Sequence, residues 1–130
     1  MKLLSALLST AIALVPMVGF ASPIRFAKGS YCGSVVSDTS YGQTHRHTVS
    51  LKPNQKVVII VDNSVYNNAY TTVKSVTGKQ VVLKETIDQD SRGMLTAVHY
   101  TFITAHSGNY TIQQVNVGQG SPIGFTVCAK

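Results

Sequence analysis

The stretch TAVHYTFIT, Thr96 to Thr104, decides the fold class: Val98, Tyr100 and Phe102 fall on one side, Ala97, His99 and Thr101 on the other. Period-two alternation through β-branched and aromatic residues marks a strand with one covered face. Outward from it the same signal repeats. Toward the C-terminal side, His106-Ser107-Gly108-Asn109 reads as a turn, Tyr110 to Val117 as a strand, Gly118 to Pro122 as a loop and Gly124 to Ala129 as the last strand. Toward the N-terminal side, Asp88 to Gly93 reads as a polar loop, and Ala69 to Val76 and Gln80 to Glu85 as a hairpin over Thr77-Gly78-Lys79. Val57 to Val61 is apolar on both faces and predicts a central, fully covered strand. His45 to Leu51 precedes it, with His47, Val49 and Leu51 on one face, and Pro53-Asn54-Gln55 between them predicts a hairpin turn. Cys32 to Val36 is the first strand. Seven or eight short strands at this spacing, with no helical period, predict an all-β, antiparallel β-sandwich or a small barrel.

The chain opens MKLLSALLSTAIALVPMVGFA, with Lys2 before an apolar run and small residues at Gly19 and Ala21. That layout predicts a signal peptide over residues 1–21, cut after Ala21; Ser5, Ser9, Thr10 and Pro16 interrupt the run too often for a membrane span. The expected mature part is one domain over residues 22–130, in the periplasm or secreted. In an oxidising compartment its two cysteines, Cys32 and Cys128, are expected to pair and to tie the first strand to the last. Closing so long a loop is worth roughly 4–5 kcal/mol in the chain-entropy model.

Without Lys2 the chain carries ten Lys and Arg against five Asp and Glu. Such a balance favours anionic partners, but the cations are scattered singly. No basic stripe is present, so nucleic-acid binding is not expected.

Groups for catalysis are scarce. Nothing selects a glycosidase pair among Asp38, Asp62, Glu85, Asp88 and Asp90. Asp88-x-Asp90-x-Arg92-Gly93 begins like a calcium loop, but Arg92 stands where an oxygen ligand belongs. His45 and His47 share one strand face, and His99 or His106 beside them would complete a copper or zinc site; otherwise they are ordinary strand-end residues. The sequence therefore predicts a binding protein rather than an enzyme, with no cofactor.

Two segments add a family likeness. Thr104-Ala105-His106-Ser107-Gly108-Asn109-Tyr110-Thr111-Ile112, together with Leu51 to Ile59, resembles the bacterial pre-peptidase C-terminal type of β-sandwich. It is also similar to the small periplasmic inhibitors of g-type and i-type lysozymes, and the likeness runs roughly from Gly33 to Val127. The resemblance implies that the Ser-Gly-x-Tyr turn enters a lysozyme cleft, with Ser107, Gly108 and Tyr110 as inhibitory residues and occlusion as the mechanism. A purely architectural role for the same turn stands beside it. So does a second class of function, an envelope structural or adhesion protein that holds a glycan or a protein through tyrosines such as Tyr31, Tyr41, Tyr66 and Tyr70.

Overall fold

The computed structural model describes residues 21–118 and 122–130. The expected signal peptide, all but Ala21, and the middle of the Gly118–Pro122 loop lie outside the described residues. Nine strands and one helical turn follow in chain order: β1 (Ser22–Pro23), β2 (Cys32–Ser37), β3 (Thr44–Leu51), β4 (Lys56–Asp62), α1 (Asn63–Tyr66), β5 (Ala69–Lys74), β6 (Lys84–Gln89), β7 (Leu95–Ile103), β8 (Gly108–Asn116) and β9 (Ile123–Ala129). They form two sheets, ordered β1-β3-β8-β5 and β2-β9-β4-β7-β6. All pairings are antiparallel except that of β1, which runs parallel to β3. The molecule is thus a β-sandwich.

Inward residues of alternate strand positions meet between the sheets. Val49 and Leu51 of β3, Tyr110 and Ile112 of β8, and Val73 of β5 face Val57, Ile59 and Val61 of β4 and Phe125 and Val127 of β9 in one buried cluster. Beta-branched side chains suit this packing because their single preferred rotamer stands off the pleat. One polar group crosses the core: Gln114, buried on β8, donates to Thr71 Oγ1 on β5 and to the Gly124 carbonyl on β9, both at 3.1 Å. The second bond links the sheets. Gly124 is required there because a Cβ would sit 2.1 Å from the Val35 carbonyl oxygen on β2.

Cys32 and Cys128 are register partners on β2 and β9 and are bonded, so the disulfide fastens the first long strand to the last. Only the two-residue β1 precedes it.

Four expectations are corrected. β3 and β4 are not a hairpin: they belong to different sheets, and Lys52 to Gln55 carries the chain across the sandwich, turning at Asn54 with φ +62°. The inward faces of both strands are apolar, so crossing buries Leu51 and Val57 in the same core. The hairpin over Thr77-Gly78-Lys79 closes only beside its turn, where the Ser75 N–H donates to the Lys79 carbonyl, Lys74 bridges Gln80 and the Val81 N–H donates to the Val73 carbonyl; beyond Val81 the chain leaves for the other sheet as β6. β6 also takes in Asp88 and Gln89, expected as loop, because they pair with Ala97 and Leu95 on β7. β4, finally, is central but covered on one face, with Val58 and Ile60 partly exposed on the side away from the core.

Candidate functional site

The Ser-Gly-x-Tyr segment joins β7 to β8 and so also crosses between the sheets. Thr104, buried just before it, anchors the crossing to its neighbour. Its hydroxyl donates to the Lys52 carbonyl and accepts the Gln55 N–H at 2.8 Å, while the Asn54 N–H donates to its carbonyl at 2.9 Å. Two adjacent crossings thereby lock each other.

Beyond that anchor the turn is open to solvent. Ala105, His106, Ser107 and Asn109 are exposed. Tyr110 is not: it is 3% exposed, its ring lies 5.8 Å from that of Phe102, and its hydroxyl donates to the His106 carbonyl at 2.8 Å. Gly108 has φ +133°, and a Cβ there would meet Val76 Cγ1 at 2.7 Å. The three expected residues thus divide in role. Ser107 faces solvent at the tip, whereas Gly108 and Tyr110 shape the turn from below.

The charge around the turn is one-sided. Lys52 and Lys56 flank the neighbouring crossing, Lys130 pairs through its backbone with Lys56, and Lys74 and Lys79 border the next loop; all five are exposed. No ion pair involves any of them among the described residues. Asp38, Asp62, Asp88 and Asp90 all lie at the opposite end of the strands, Asp90 paired with Arg92 at 3.2 Å and Asp88 with His99 at 2.7 Å. Sequence reading missed this segregation because the lysines are scattered along the chain and meet only through the sheet registers.

The four histidines do not converge. His45 and His47 sit on β3 facing inward, and His47 stands edge-on to Phe125 at 5.6 Å. His45 Nε2 and His47 Nδ1 are buried with no hydrogen-bond partner, and burial, then the neighbouring His45, lowers the His47 pKa below its ordinary 6.5. His99 is held by Asp88, and His106 lies in the exposed turn. Among the described residues, no three His, Cys, Asp or Glu side chains are arranged to hold a metal ion. Of the Asp88–Gly93 segment, Asp88 and Gln89 end β6, and Asp90 to Gly93 form a tight turn in which Asp90 accepts the Arg92 and Met94 N–H groups at 2.8 and 3.0 Å.

No family model and no curated protein matches the chain. Solved structures do. Over 85% of this chain it superposes on 96% of an Aeromonas hydrophila PliG, a periplasmic lysozyme inhibitor of g-type lysozyme, with TM-score 0.60 and 22% identity. The Salmonella Typhimurium PliG, described in the same terms, matches with TM-score 0.61 and 15% identity over 87% of this chain and 100% of its own. A mutant of the Escherichia coli PliG matches with TM-score 0.56 and 15% identity over 85% and 97%. At such identities the likeness establishes a shared fold, with nearly the whole of each neighbour matched.

Proposed function

We propose that this chain is an exported, non-catalytic protein that inhibits a g-type lysozyme by seating the Ser107–Tyr110 turn in the enzyme's substrate cleft. The observation that carries the proposal is an exposed turn, buttressed from below, on a fold shared with three inhibitors of g-type lysozyme. Ser107 offers a hydroxyl that can donate to a catalytic carboxylate. Gly108 and Tyr110 hold it in place, so little ordering is needed on binding. A periplasmic or secreted setting belongs to the same proposal and is supported by the Cys32–Cys128 bond. Kinship with the pre-peptidase C-terminal sandwiches and action on i-type lysozyme remain part of the proposal as well.

The test is a cell-wall turbidity assay of the oxidised protein against c-, g- and i-type lysozymes. Stoichiometric inhibition of the g type, relieved by Ser107→Trp at unchanged melting temperature, is the expected result. Inhibition of no lysozyme at micromolar protein would leave the turn as architecture and favour an envelope binding role.

A further inference from the structure

A second feature lies on the flank of the sandwich, where residues 75–83 cross from β5 to β6. A groove of about 850 Å³ opens there, lined among others by Tyr66 of α1, Tyr70 of β5, Tyr100 of β7 and Glu85 of β6. None of Ser107, Gly108 and Tyr110 takes part. The volume lies in the range of about 300–1,000 Å³ that holds a ligand of several rings. Neither of the ring pairs found among the described residues, His47–Phe125 and Phe102–Tyr110, involves these tyrosines. Their rings are therefore not spent on one another. Asn67, Thr72 and Gln80 add neutral groups to the lining.

The chemistry narrows the ligand. Among the described residues no Lys or Arg of this basic chain lines the groove, and the one charged residue there is a carboxylate. An anion is therefore disfavoured. A small organic cation would need rings closed around a single point, whereas Tyr70 is 63% exposed and the groove is open and far larger than an ammonium group. Amides and hydroxyls both donate and accept, which matches hydroxyl-rich rings, and tyrosine pairs an apolar face with a polar tip. We propose that this groove binds a neutral β-linked oligosaccharide, with sugar rings stacked on Tyr70 and Tyr66 and their hydroxyls held by Glu85, Asn67 and Gln80. Tyr100 lies deeper: burial first, then Glu85 and the two other tyrosines, pushes its phenol up to about 12, so it stays protonated and able to donate.

The chain has no Trp, so binding is followed by calorimetry and by tyrosine fluorescence without a competing indole, three of the six tyrosines being in the groove. The probes are the β-1,4 N-acetylglucosamine tetramer and cellotetraose, with tetramethylammonium as the competing class. Saturable binding of a tetramer is expected, weakened about tenfold or more by Tyr70→Ala and unchanged by Tyr41→Ala. Tyr41 is exposed outside the groove, and neither substitution should move the melting temperature. Glu85→Gln should retain sugar binding within a few fold, because an amide still bonds hydroxyls. The proposal is overturned by lack of binding of either tetramer at about 10 mM, by binding that survives Tyr70→Ala, or by preferred tetramethylammonium binding lost in Glu85→Gln. Lysozyme inhibition plays no part in the assay, so its outcome is independent of the turn.

Discussion

Tyr110 and Ser107 sit three residues apart and do different things. The Tyr110 hydroxyl is buried against the His106 carbonyl, so Tyr110→Phe removes a hydrogen bond without opening a cavity. A loss of about 0.5–1.5 kcal/mol follows. Inhibition should weaken only as far as the turn loosens, and added stability from elsewhere should restore it. Ser107→Ala should leave stability within about 0.5 kcal/mol, as exposed positions do, because the side chain touches solvent. Denaturant melts of the two variants check this pair of expectations. Gly108→Ala is the harsher change, since positive φ and the Val76 methyl both oppose a Cβ. It should cost about 1–3 kcal/mol, and a melt showing no loss would mean that the crossing has room to shift.

The element scale shows what could be read in the chain and what could not. Strand positions were legible: the alternation in Thr96–Thr104 places Val98 and Phe102 inward as expected, and Cys32 finds Cys128 across the β2–β9 ladder. Partner choice was not. Pro53-Asn54-Gln55 offers the same turn residues whether it closes a hairpin or crosses a sandwich, and only the three-dimensional competition for the core decides. The groove was equally hidden, because Tyr70 and Tyr100 are separated along the chain and line one groove only when β5 and β7 are placed in facing sheets. β3 carries its own prediction. In the fold the His47 pKa is lowered by burial and then by His45, while in the unfolded chain it titrates near its ordinary 6.5. The unfolded state therefore binds more protons just below that value, and stability falls as pH drops from about 6.5 through the lowered pKa. His47→Leu should flatten the decline in melting temperature between about pH 7.5 and 5. An undiminished slope in that variant would assign the acid sensitivity to other groups.

At the scale of the whole molecule the distribution of charge matters more than its sum. A basic protein is a poor match for a basic lysozyme, because like charges slow encounter. Here Lys52, Lys56, Lys74, Lys79 and Lys130, none of them in an ion pair among the described residues, surround the end that bears the turn, while four of the five carboxylates lie at the other. The turn would therefore approach its target through a positive field. If it enters a lysozyme cleft, the favoured enzyme is one whose cleft mouth is acidic. Because these lysines are exposed, the attraction acts mainly on the association rate and is screened over a Debye length of about 10 Å at 0.1 M salt and about 3 Å at 1 M. Association with such an enzyme should slow by about tenfold or more between those two salt concentrations, with little change in dissociation. Lys52→Glu with Lys56→Glu should reproduce the slow rate at low salt and leave the melting temperature unchanged, since both side chains are exposed and neither is in an ion pair among the described residues. Stopped-flow or surface-binding kinetics would measure both rates. Fast, salt-independent association with a strongly basic lysozyme would show that the lysine end is a solvated surface and that steering comes from elsewhere.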